Sequence, residues 1–113
     1  MNRGEVYNAR LNPVEGSEQA GENRPVIIVT RDAINDNSPV VLAVPCTRYT
    51  GQRLYPSQVL VQALDGGLDV DSVAMAEQVR AIDKQRLGRL RGTLSQQAMT
   101  GLERALRIAL DLP

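Results

Sequence analysis

Pro25-Val26-Ile27-Ile28-Val29-Thr30 and Pro39-Val40-Val41-Leu42-Ala43-Val44-Pro45 are the two stretches on which the fold turns. Both are rich in β-branched side chains, which are stiff at χ1 and suit a pleated surface better than a helix. Both are short and apolar at consecutive positions, so they read as strands buried on both faces. Proline cannot donate to a sheet ladder, so Pro39 and Pro45 predict where pairing of the second strand starts and stops. Outward from this pair, Glu5-Val6-Tyr7-Asn8-Ala9-Arg10-Leu11 reads as an earlier strand with imperfect alternation, and Val59-Leu60-Val61 as a later one. Asp65-Gly66-Gly67 supplies a turn. Ser72 to Ile82 reads as one or two further strands, and Leu90-Arg91-Gly92-Thr93-Leu94 as a short last one. Ser95 is a natural N-cap for a closing helix from Gln96 to Leu110, with Met99, Leu102, Leu106, Ala109 and Leu110 on one stripe. Gly101 costs that helix roughly 1 kcal/mol relative to alanine. The expectation is a single domain over residues 1–113, mainly β with a C-terminal α-helix. Its strands should form a strongly curved antiparallel sheet or small barrel on which the helix packs.

Two polar loops exceed what such a fold needs, residues 12–24 and residues 46–56. Long loops beside buried strands are common places for function, because the strands hold their anchor residues still. Composition narrows the chemistry those loops can carry. Hydrophobic residues make up 42% and charged residues 23%, the balance of a soluble globular chain. No run is long and apolar enough to span a membrane, and Met1-Asn2-Arg3-Gly4-Glu5 lacks the apolar core of a signal peptide, so the expected location is cytoplasmic. There is no histidine and one cysteine, Cys46. Internal disulfides, cysteine-rich metal sites, most other metal-ligand sets and all histidine acid–base schemes are therefore excluded. No metal and no cofactor is expected. Net charge is zero, but residues 79–113 hold seven Lys or Arg against three acids, whereas residues 1–78 hold six Arg against ten acids. The C-terminal surplus reads either as a solvated face or as a positive surface for phosphates or an acidic peptide.

Arg24 ends the first loop, and Pro25 biases it toward extended backbone at the mouth of a central strand. Thr47 follows the strand that ends at Pro45. By position alone Arg24 reads as an ordinary surface arginine and Thr47 as a turn residue capping loop backbone more readily than as catalytic groups. Glu18 reads as a solvated loop carboxylate, or as a base. Cys46 has no histidine to activate it and reads as structural. Arg48, Tyr49, Arg53 and Tyr55 mix charge with aromatic rings, either as exposed loop residues or as a surface for phosphates and stacked bases. Gln78 either faces the same cleft or decorates a strand.

Gly16-Ser17-Glu18-Gln19-Ala20-Gly21, then Arg24-Pro25-Val26-Ile27-Ile28-Val29, then Val44-Pro45-Cys46-Thr47 resembles the MazF/PemK family of toxin ribonucleases. Gly4-Glu5-Val6, Asp71-Ser72-Val73-Ala74, Glu77-Gln78-Val79-Arg80-Ala81-Ile82-Asp83-Lys84-Gln85-Arg86-Leu87 and Gly92-Thr93-Leu94-Ser95 extend the likeness over nearly the whole chain. The resemblance implies a small SH3-like barrel, a homodimer, and cleavage of single-stranded RNA such as mRNA at specific short sequences. It places the family's catalytic arginine on Arg24, its catalytic threonine on Thr47 and an implicated loop glutamate on Glu18. Relative to some members, one extra residue separates Gly21 from Arg24, which displaces the register of Glu18. The resemblance also implies an antitoxin partner, typically acidic and partly disordered, suited to the basic surplus of residues 79–113.

The implied chemistry needs no metal, because the RNA 2′-OH is the nucleophile and the product is a 2′,3′-cyclic phosphate. Arginine is a bidentate phosphate ligand but not normally a base, so Arg24 suits charge stabilisation. Thr47 suits donation to a non-bridging oxygen, which leaves Glu18 as candidate base. A CcdB-like toxin that binds DNA gyrase shares the barrel and is the alternative, although gyrase binding has no use for a matched arginine and threonine. A small barrel that binds RNA without cutting it is a third reading.

Overall fold

Val26, Ile27 and Ile28 are all completely buried, and two different cores bury them. The computed structural model describes residues 1–113. Seven strands run as β1 (Glu5–Ala9), β2 (Arg24–Ile28), β3 (Val40–Arg48), β4 (Gln58–Val61), β5 (Ser72–Met75), β6 (Arg80–Asp83) and β7 (Leu87–Thr93), with helices α1 (Asp32–Asn37) and α2 (Gln96–Leu110). All strand pairings are antiparallel. The order is β4-β5-β3-β2-β1-β7, with β6 also on β3. Ile27 and Val44 point into a core shared with Leu102, Met99 and Ala105 of α2. Val26, Ile28, Val41 and Ala43 point the other way, onto Leu11 and Ile82. Side chains alternate along a strand, so a strand between two cores must be apolar at every position. That is why Val26–Ile28 and the Ala43–Val44 end of the second run carry no polar face, whereas Val40 and Leu42, expected to be buried, are 38% and 46% exposed.

The sheet is curved but not closed. Each end of β3 takes a different neighbour on one edge: Val40–Ala43 pairs with β6, and Cys46–Arg48 pairs with β5. No ladder joins β4 or β6 to β7. The expected barrel is thus an open, strongly bent sheet with α2 packed over one face.

Three local expectations are corrected. Pro45 does not end its strand, since β3 runs on to Arg48 and Pro45 pairs with Val26. The Leu42 carbonyl accepts from Val29 on the β2 side. Alternation therefore turns the Pro45 nitrogen to the opposite edge, between the last β6 pair at Ala43 and the first β5 pair at Cys46. The missing donor falls where no partner strand asks for it. In consequence Thr47 lies on a strand, and the following loop begins at Tyr49. Second, α1 fills the connection between β2 and β3, where no apolar periodicity announced a helix. Its buried Asn35 donates from Nδ2 to the Thr30 carbonyl at 2.7 Å. Third, Leu110 is 52% exposed, because it lies about 80° around the helix from Leu102, while Ala105 joins the core instead.

Helix α2 starts where expected. Ser95 Oγ accepts from the Ala98 N–H at 3.1 Å. The Asp65 carboxylate in turn accepts from the Ser95 N–H and Oγ at 2.8 and 2.7 Å. The turn after β4 and the helix start are thereby tied together.

Candidate active site

The β2–β3 register sums to a constant, with Val26 opposite Pro45 and Ile27 opposite Val44. Carried two residues further, it sets Arg24 opposite Thr47. Both half-buried side chains line one cleft of about 210 Å³, with Arg48, Ser72, Asp69 and Arg91 around them. Two residues on either side of α1 in the sequence thus meet at one cleft, just beyond the last recorded β2–β3 pair.

Arg24 is held from two sides. Gly21 has φ +136°, and a Cβ there would lie 2.3 Å from Arg24 Cγ and 2.5 Å from Cδ. The arginine stem thus runs over bare backbone. At its head sits the Gln19 amide; assigned so that its oxygen rather than its NH2 faces the guanidinium donors, that oxygen accepts from Arg24 Nη2 at 2.6 Å and from Nε at 2.9 Å. The two ion pairs of the chain are Arg3–Glu103 and Arg91–Asp69, so no carboxylate neutralises Arg24. A charged, oriented guanidinium with free donors is a phosphate ligand.

Arg91 forms a second guanidinium of the cleft, its side chain only 13% exposed. It donates to Asn8 Oδ1 at 3.0 Å, to the Gly67 carbonyl at 3.0 Å and to Asp69 Oδ2 at 2.9 Å. Its donors are spent on β1 and on the turn after β4, which makes it a wall rather than a free cation. Sequence reading passed over both Gln19 and Arg91. The signal for Gln19 was only its place beside Glu18.

Cys46, next to Thr47 on β3, points to the opposite face, into the core beneath α2, and is completely buried. Burial pushes its thiol up to about 12, while the nearby Arg24 charge pulls it the other way. It stays protonated at neutral pH and is no nucleophile. The folded protein should accordingly resist a thiol reagent at mildly alkaline pH and react once unfolded in guanidinium. Fast labelling of the native chain contradicts this. The ordinary value is 9.0, so the unfolded chain loses this proton first. Stability should fall as pH rises from about 9 towards about 12.

The other predicted residues are distributed differently. Arg48 is exposed at the cleft edge. Glu18 and Gln78 line a separate cavity of about 400 Å³ together with Ser17, Pro45 and Arg80. Glu18 folds onto its own loop, where Oε1 accepts from the Glu15 N–H at 2.7 Å. Gln78 Oε1 accepts from the Gln19 N–H at 2.6 Å. Tyr49, Arg53 and Tyr55 follow β3 on the next loop and line neither cavity, and Tyr55 is 64% exposed.

Residues 2–110 match the family model described as PemK-like, MazF-like toxin of type II toxin–antitoxin system. The chain belongs to this family. Among similar solved structures is a mycobacterial endoribonuclease in complex with its cognate antitoxin. It is 26% identical with a TM-score of 0.82, over 100% of this chain and 97% of that one. The Mycobacterium tuberculosis toxin MazF-mt6 is 28% identical with a TM-score of 0.78, covering 96% of this chain and 98% of that one. MazF from Deinococcus radiodurans is 23% identical with a TM-score of 0.83, over 99% and 97% of the two chains, and shows the shared fold. In this MazF-like toxin the Arg24–Thr47 cleft opens where the bent sheet changes partner strands. No helix of this toxin is long and apolar enough to cross a membrane.

Proposed function

We propose that this chain is a growth-inhibiting toxin that acts in the cytoplasm as a sequence-specific, metal-independent endoribonuclease on single-stranded RNA. The observation that carries this reading is the uncompensated Arg24 guanidinium, fixed by Gln19 and Gly21 opposite Thr47. The RNA 2′-OH attacks the adjacent phosphorus and the P–O5′ bond breaks. Arg24 and Thr47 donate to the non-bridging oxygens as negative charge grows on them. Glu18 takes the 2′-OH proton, and a water protonates the leaving 5′ oxygen. Glu18 must turn away from the Glu15 N–H to do so. This sequence of steps asks nothing of a histidine, in keeping with a chain that has none.

Arg48 at the cleft edge, with Tyr49, Arg53 and Tyr55 beyond it and Gln78 in the neighbouring cavity, forms the candidate RNA track. Two protein partners belong to the same reading. One is a second copy of the chain, for which exposed Val40 and Leu42 on β3 and Ile108, Leu110 and Leu112 at the C-terminal end offer apolar surface. The other is an acidic antitoxin, as the mycobacterial relative has a cognate antitoxin.

The test is end-labelled single-stranded RNA incubated with the purified protein in EDTA. Discrete cleavage at a short motif, leaving 2′,3′-cyclic phosphate ends, is the expected result. RNA that stays intact, or is cut only when a divalent metal is restored, refutes the reading. Thr47→Val keeps the shape and loses the hydroxyl, so kcat should drop by about 100-fold, the effect of removing one donor from developing charge. An undiminished kcat removes Thr47 from the site.

A further inference from the structure

We infer that Gln19 is a positioning residue for Arg24, acting as a neutral clamp that aims the guanidinium without discharging it. The inference rests on the proposed catalytic role of Arg24.

Arginine has a long, freely rotating side chain, and a catalytic contact loses most of its value when misplaced by about an ångström. A device that orients Arg24 must bond two of its nitrogens without supplying negative charge. A carboxylate would do the first and fail the second, since it would compete with the phosphate for the same fork. The Gln19 amide oxygen does both, accepting from Nε and Nη2 at 2.9 and 2.6 Å. The remaining Nη1 donors stay available. Gly21 completes the arrangement by leaving no Cβ under the stem.

Gln19 is itself referenced to the sheet. Its backbone N–H donates to Gln78 Oε1 at 2.6 Å, and Gln78 Nε2 reaches the Ser17 carbonyl at 3.5 Å. Gln78 ends the 3-10 turn Ala76–Gln78 that joins β5 to β6. The two glutamines therefore relay the position of a rigid strand connection to a guanidinium on β2. Gln19 is half-buried and lies between Arg24 and the cavity that it lines with Glu18 and Gln78.

The decisive variant is Gln19→Met, which keeps the length and apolar stem, keeps the backbone link to Gln78, and has only a weak acceptor. Expected are a kcat lower by about 10- to 100-fold, a KM within about twofold, an unchanged melting temperature, and loss of the exchange-protected Arg24 Nε–H resonance in nitrogen-edited NMR. Gln19→Glu should keep that resonance yet leave kcat low, because the clamp now neutralises the arginine. Wild-type kcat in Gln19→Met overturns the clamp. Wild-type kcat in Gln19→Glu overturns the requirement for neutrality. Arg24→Ala measured in parallel separates the levels. If that variant cleaves RNA normally, the reading beneath has failed. If it is inactive while Gln19→Met is fully active, only the clamp has failed.

Discussion

Arg24→Ala should reduce RNA cleavage by at least about 1,000-fold while the protein stays folded. Removing a single donor from developing charge costs about 100- to 1,000-fold, and Arg24 supplies several donors together with a full charge that no carboxylate holds. Arg91 cannot take over, because its nitrogens are committed to Asn8, Gly67 and Asp69. Little in the fold depends on the lost side chain. Arg24 is half-buried and its head bonds Gln19 alone, while the buried Val26, Ile27 and Ile28 that anchor β2 are untouched. Single-turnover cleavage of end-labelled RNA, with circular dichroism to confirm folding, is the check. A folded variant that cuts at the wild-type rate would falsify the assignment.

Gly67→Ala should be the most damaging of the small substitutions, destabilising the chain by about 3 kcal/mol. Gly67 has φ +73°, in the left-handed region, where a side chain costs roughly 1–2 kcal/mol. A Cβ there would lie 2.1 Å from the Arg91 carbonyl oxygen and 2.6 Å from its carbon. Those atoms are backbone of β7, with no side-chain rotation to relieve the clash, and overpacking of this kind adds roughly 1–3 kcal/mol. The closeness is mutual, since a Cβ on Gly92 would lie 2.9 Å from the Gly66 carbonyl carbon. The turn after β4 and strand β7 thus meet backbone to backbone. The Gly67 carbonyl also accepts from Arg91, so the same change should disturb the cleft wall. Urea titration gives the stability directly, and a midpoint equal to wild type would show that the turn can yield.

The two predictions differ in what made them visible. Arg24 was legible as a candidate because Pro25 and an apolar run follow it, and because its neighbours spell a family pattern. Gly67 was legible only as a turn residue. Nothing in Asp65-Gly66-Gly67 says that Arg91 backbone lies on it. The same holds for Pro45. Its place between two prolines suggested a strand end, and only the exchange of β6 for β5 along β3 makes a mid-strand proline harmless. For α1, Asp32-Ala33-Ile34-Asn35-Asp36-Asn37 has no apolar stripe. Its place depends instead on Asn35 finding the Thr30 carbonyl. Glu18 shows the limit on the functional side. The family pattern offered it as the base, but the loop turns it onto Glu15 and leaves Gln19 against the arginine head.

The sequence by itself determined the strand runs, the closing helix from Gln96 to Leu110, and a chemistry without histidine. These are local properties: side-chain branching, apolar period, cap residues and composition act within a few residues of chain. The tertiary structure decided that the sheet stays open, that Arg24 faces Thr47, and that Gln19 rather than Glu18 holds the arginine. Those outcomes depend on groups brought together from distant segments. The Gln19–Gln78 bond spans 59 residues, and only the packing of β5 and β6 against the two ends of β3 brings its partners within reach.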